Sequence, residues 1–140
     1  MAAVTSVMRV NQLLLARADA LLRPFDVTFA RYEVLMLLSF SRARALPLGK
    51  IGERLQVHPA SVTNAVDRLE SQGLVRRHRN PADGRGMLAE ITPEGRCVAE
   101  HATRTLNEEM FSSLGLTTAE SEQLFSLLRA IRLDAGDFVA

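Results

Sequence analysis

Between positions 3 and 22 apolar residues return every three or four places. Val7, Val10, Leu14, Ala18 and Leu21 form one stripe, Leu13, Leu15 and Leu22 broaden it, and Arg9, Arg17 and Asp19 interrupt it. That spacing predicts an amphipathic helix. It should stop at Arg23-Pro24, because the residue before a proline is pushed out of the helical region. Thr28 offers a hydroxyl cap to a second helix, FARYEVLMLLSF, apolar on nearly every side and therefore expected at the centre of a domain. Ser41 to Leu46 read as a polar connector. Pro47 to Leu55 predicts a short helix with Leu48, Ile51 and Leu55 inward, and Gln56-Val57-His58 reads as the turn into the next helix.

That next helix begins at Pro59, where the missing N–H of a first-turn proline costs nothing. Val62, Ala65, Val66, Leu69 and Gly73 share its inner side. Ala60, Ser61, Asn64, Asp67, Arg68 and Ser71 share the outer one. A face that only met water would more usually carry Glu and Lys. Small polar groups let the backbone come close to another molecule, and Ser, Thr, Asn and Arg can address base edges. Gly73 supplies the left-handed residue that ends such a helix. Leu74 to Arg79 and Met87 to Thr92 read as strands around the turn cluster Asn80-Pro81-Ala82-Asp83-Gly84, giving a hairpin with Arg76, Arg77, Arg79 and Arg85 against Asp83. Two helices joined by a short turn and followed by a basic hairpin predict a winged helix-turn-helix.

Thr92-Pro93 pairs a hydroxyl cap with proline at the first helical position. The helix it opens is expected to run to about Leu114, with Val98, Ala102, Leu106 and Met110 on one side, and to close at Gly115. Thr117-Thr118-Ala119-Glu120 is a capping box for a last helix that should bury Leu124, Leu127, Leu128 and Ile131 beside Phe125. The fold expected is mainly α with a small β-hairpin wing. Residues 1–140 form one unit, in which 28–91 are the winged helix-turn-helix lobe and 1–27 and 92–140 are dimerisation helices. The terminal stripes are longer than the lobe needs, so a two-fold homodimer should cover them. Its two recognition helices would meet a pseudo-palindromic site with half-sites about one helical turn apart.

Composition narrows the function classes. The net charge of +1 leaves bulk electrostatics silent on nucleic acid, whereas the segment 76–85 concentrates four arginines against one aspartate. A single cysteine, Cys97, excludes an internal disulfide framework and reads as a buried structural thiol in a reducing compartment. No apolar run approaches the length of a membrane span and the N-terminus does not resemble a secretory signal, so a cytoplasmic protein without membrane association is expected. His58, His78 and His101 lack metal-ligand spacing, and no nucleophile motif or phosphate-cradling glycine loop occurs. Neither catalysis, a metal nor a cofactor is expected. His58, just before Pro59, suits a capping or DNA-backbone role. The competing reading is a winged-helix module that binds only protein.

The segments VTNAVDRLESQGLVRR, NPADGR and LAEITPEG, in that order within a chain of this element order, resemble the MarR family of bacterial transcription regulators. Each fragment is weak alone; the composite is specific, and the likeness spans essentially the whole chain. The resemblance implies that Ser61, Thr63, Asn64 and Arg68 lie on the helix in the major groove; Ala60 and His58, at the start of that helix, are counted with the DNA-binding residues. It implies that Arg85 enters the minor groove with its guanidinium held by Asp83. Arg77 and Arg79 would add phosphate attraction; alternate strand residues point oppositely, so Arg85 ranks first. Many members carry arginine where this chain has Asn64, and asparagine suits adenine better than guanine. The resemblance further implies repression of genes until a small aromatic or anionic effector binds near the cleft between the terminal helices and the lobe, bordered by Arg9, Arg17, Arg31, Tyr32 and His101.

Overall fold

The computed structural model describes residues 1–139 apart from positions 83 and 113. Helix α1, Ala2–Leu22, runs into a 3₁₀ turn, Arg23–Phe25, and the chain reverses at Asp26 in the left-handed region. Helix α2, Phe29–Phe40, starts where Thr28 accepts the Arg31 N–H on its hydroxyl. Strand β1, Ala45–Pro47, leads directly into α3, Leu48–Leu55, and α4 spans Pro59–Ser71. Strands β2, Val75–Arg79, and β3, Met87–Ile91, form the hairpin. Helix α5, Pro93–Leu106, passes into a π-helical turn, Asn107–Phe111, and α6 spans Thr118–Asp134.

The sheet has three antiparallel strands in the order β1-β3-β2. Strand β1 corrects the expectation of a plain connector over 41–46: Leu46 opposes Ala89, and Arg44 accepts the Ile91 N–H on its carbonyl. Three residues carry too little alternation to announce a strand. They pair because β3 presents an open edge to them.

The core gathers around α2, as its all-round apolarity requires. Leu35 and Leu38 are fully enclosed with Ile51 of α3, Val66 and Leu69 of α4, Val75 and Ala89 of the sheet and Leu106 of α5. Helix α5 shows a second correction. Its buried positions are Gly95, Ala99, Ala102 and Leu106, followed by Met110 in the turn beyond it, with Val98 only partly covered. The expected single helix to Leu114 widens into the π turn after Leu106, and Arg17 of α1 donates there to the Glu109 carbonyl.

Helix α6 opens with the capping box read from its sequence. Thr117 Oγ1 accepts the Glu120 N–H, and Glu120 accepts the Thr117 N–H at 2.8 Å. The Thr117 N–H, and with it the Thr117 hydroxyl that donates to the same Glu120 oxygen at 2.8 Å, hold the Glu120 carboxyl below the usual carboxylate range. The expected burial of its apolar side does not occur within the chain. Leu127 is 67% and Ile131 62% exposed, while Leu124 and Leu128 face Val7, Val10 and Leu14 of α1 across a cavity of about 400 Å3.

Candidate nucleic-acid interface

Helix α4 is defined at both ends by its own side chains and backbone. At its start His58 Nδ1 accepts the Ala60 N–H at 3.1 Å, so the imidazole is the cap of this helix. At its end Gly73 takes φ +74°, the Gly73 N–H reaches the Glu70 carbonyl, and the Leu74 N–H reaches the Leu69 carbonyl. This pair of bonds closes the helix and turns the chain into β2. The inner side, Val62, Val66 and Leu69, is enclosed. Of the outer residues, Thr63 returns its hydroxyl to the Pro59 carbonyl. Ser61, Asn64 and Arg68 remain exposed.

The wing is fastened to this helix by one residue. The Arg77 guanidinium reaches Asp67 at 2.5 Å and Glu70 at 3.1 Å, and Glu70 also accepts the Arg77 backbone N–H at 2.9 Å. Those bonds to Arg77 lower the Glu70 carboxyl pKa. Arg77, placed by sequence with the DNA contacts, thus spends its charge inside the subunit, because strand alternation turns it toward α4. Arg76 and Arg79 are exposed on β2, and Arg85 is exposed at the hairpin turn. His78 pairs with Glu90 across the sheet at 3.3 Å. The role expected of Asp83, holding Arg85, falls outside the described residues.

At the foot of the wing Thr92 is buried. Its hydroxyl donates to the Gly73 carbonyl at 2.7 Å and accepts the Gly95 N–H at 3.0 Å. The end of α4 and the start of α5 are thereby joined through one side chain.

The MarR family model matches residues 27–87. The multiple antibiotic resistance protein MarR of Salmonella typhimurium is 30% identical over 112 residues, covering 79% of this chain and 76% of that protein. Among solved structures, Sco5413, a MarR family transcriptional regulator from Streptomyces coelicolor, is 51% identical with a TM-score of 0.93, covering 100% of this chain and 97% of the other. A mutant of Escherichia coli MarR in complex with operator DNA is 28% identical with a TM-score of 0.82, covering 91% of each chain.

The chain belongs to the MarR family. It is a MarR-family transcriptional regulator with the winged helix-turn-helix of that family. No helix among the described residues is long and apolar enough to cross a membrane.

The residues expected to border an effector cleft in this MarR-family regulator are engaged separately. Arg17 is bound to the Glu109 carbonyl, and the Tyr32 hydroxyl meets Thr103 at 2.7 Å between α2 and α5. His101 Nδ1 lies 2.9 Å from the Cys97 carbonyl, and Arg9 is exposed on α1. Arg31 lies beside the recognition helix instead. Cys97 is exposed, which corrects the expectation of a buried thiol. Ala99 and Ala102 take the inner face of α5, and Cys97 falls on the outer one with His101, one turn on.

Sequence reading missed a cavity of about 430 Å3 between α2 and α5, lined by Met36, Phe40, Arg44, Arg96, Glu100 and Thr103 among others. Phe40, at the end of a helix read as core, is 80% exposed there, which the sequence pattern did not signal. On the neighbouring face of α2, burial raises the pKa of Glu33.

Proposed function

We propose that the protein is a homodimeric repressor that binds a pseudo-palindromic operator through α4 and the wing, without a catalytic step, in the cytoplasm. The observation that carries this reading is the Arg77 link. By tying β2 to Asp67 and Glu70 it sets the basic hairpin and the polar face of α4 as one rigid unit. In that unit Ser61, Thr63 and Asn64 address bases, Arg68 reaches the phosphate backbone from the same helix face, His58 and Ala60 bring the helix start close to the backbone, and Arg79 and Arg85 supply phosphate and minor-groove attraction. Arg77 acts as a positioning residue. The complex of E. coli MarR with operator DNA supports the docking mode.

The terminal segments 1–27 and 92–140 serve as the dimerisation part. The open apolar face of α6, with Phe125, Leu127 and Ile131 in water, supports this. A small aromatic anion is the effector class that fits the α2–α5 cavity. Its volume is in the range of small-ligand sites, Met36 and Phe40 offer apolar contact, and Arg44 and Arg96 offer charge. The effector lowers operator affinity by favouring a dimer whose two α4 helices are spaced wrongly for one duplex.

The test is selection of bound fragments from random DNA by the purified protein, followed by footprinting. Expected is an inverted repeat with protected half-sites about one helical turn apart. Failure to enrich any sequence, or a stable monomer at working concentration, defeats the proposal.

A further inference from the structure

A cleft of about 410 Å3 opens between the first turn of α2 and the outer side of α4. Thr28, Ala30 and Arg31 line it from α2, and Ser61, Asn64 and Arg68 line it from α4. Two arginines from separate elements therefore line one cavity, and no carboxylate is among its lining residues. Arg31 is held there. Its Nε donates to Thr28 Oγ1 at 3.2 Å, the hydroxyl that also caps α2, and the residue is half-buried. Among the described residues neither Arg31 nor Arg68 forms an ion pair with an acid. The acids beside the start of α2 are engaged elsewhere: Asp19 accepts the Phe29 N–H, and Asp26 accepts from the Gln72 amide.

Two cations that line one cleft with no acid in its walls repel each other, and that cost is relieved when an anion sits between them. A guanidinium whose Nε is already committed presents its terminal nitrogens as a fixed fork, which matches phosphate oxygens. The cleft also shares Ser61 and Asn64 with the face assigned to the bases, so a molecule reaching those two residues passes its mouth. From this we infer that the cleft receives one phosphodiester of the DNA backbone in each half-site, gripped by Arg31 from the scaffold and Arg68 from the recognition helix. Arg31 is thereby a DNA-binding residue that sets the depth and register of α4 in the groove. This rests on the operator-binding proposal and adds a contact from outside the helix-turn-helix and wing.

The experiment uses the full-length protein and a duplex selected by the wild type from random DNA. Affinity is measured across a range of salt for wild type, Arg31→Met, which keeps the stem and loses the charge, and Arg31→Lys. Expected for Arg31→Met is a salt slope shallower by about 0.9 per subunit, with a similar fold-loss on the selected duplex and on unrelated DNA. Arg31→Lys should keep the slope. A neutral methylphosphonate moved through the half-site should weaken wild type at a position where Arg31→Met loses nothing further.

An unchanged slope in Arg31→Met, with wild type binding normally, overturns this inference and leaves the operator proposal standing. No DNA binding by wild type overturns both. Stabilisation of wild type by inorganic phosphate, lost in Arg31→Met with the salt slope unchanged, assigns the cleft to a free anion and also overturns it. Should Arg31→Met unfold at assay temperature, the methylphosphonate scan of Arg31→Gln, a second neutral variant, decides. A smaller penalty than wild type at one position supports the contact, and an identical scan defeats it.

Discussion

Gly95 is packed directly against the carbonyl of Leu74: a Cβ at residue 95 would stand 2.1 Å from that oxygen and 2.9 Å from the Ile91 side chain. The same carbonyl accepts the Thr92 N–H at 3.0 Å, so it cannot move away without breaking a bond at the foot of the wing. Gly95→Ala should therefore destabilise the fold by at least the cost of overpacking a core, about 1–3 kcal/mol. Thr92→Val, which leaves the Gly73 carbonyl and Gly95 N–H without their partner, should cost about 1–3 kcal/mol. Chemical denaturation of both variants checks this; Gly95→Ala melting like wild type would contradict the close approach.

Glu70→Gln should leave global stability nearly unchanged, since a partly exposed ion pair at the surface contributes only about 0–1 kcal/mol, yet loosen the wing. The readout is amide exchange over residues 75–91, which should accelerate while α1 and α5 stay protected. The pH dependence has a definite sign. The folded carboxyl of Glu70 titrates below its ordinary value because Arg77 donates to it. Its contribution is therefore complete above the unfolded pKa and disappears as pH falls through the lowered folded one. Wing protection should weaken on acidification through that window in wild type and stay flat in Glu70→Gln.

Leu127→Glu or Ile131→Glu should convert the proposed dimer to a monomer without unfolding the subunit, because both side chains stand outside its own core. Sedimentation velocity gives the assembly state and circular dichroism the fold. Operator affinity should fall with the loss of the second half-site. A variant that remains dimeric would place the subunit contact elsewhere.

Asn64 and Arg85 should separate specificity from affinity. Asn64→Ala should flatten base preference at one position of each half-site, by about 1–3 kcal/mol if the amide is bidentate to adenine. Arg85→Ala should weaken all duplexes alike and reduce the salt slope. Competition binding against single-base operator variants distinguishes the two outcomes.

Local chemistry announced most elements. The Thr28, His58, Thr92 and Thr117 caps, the Gly73 stop and the prolines at 59 and 93 act through neighbours a few residues away. Their effect is therefore visible without knowing the fold. The winged helix-turn-helix and its polar outer face followed from the same short-range patterns.

What depended on tertiary structure was every partnership over distance. Strand β1 exists because β3 offers an edge. Arg77 turns inward because Asp67 and Glu70 come within reach, and Cys97 is exposed because the alanines of α5 take the core side. Arg31 meets the recognition helix only once α2 and α4 are packed. One-dimensional periodicity says which side of an element is apolar; which charges then meet depends on how helices cross, and that is decided by packing.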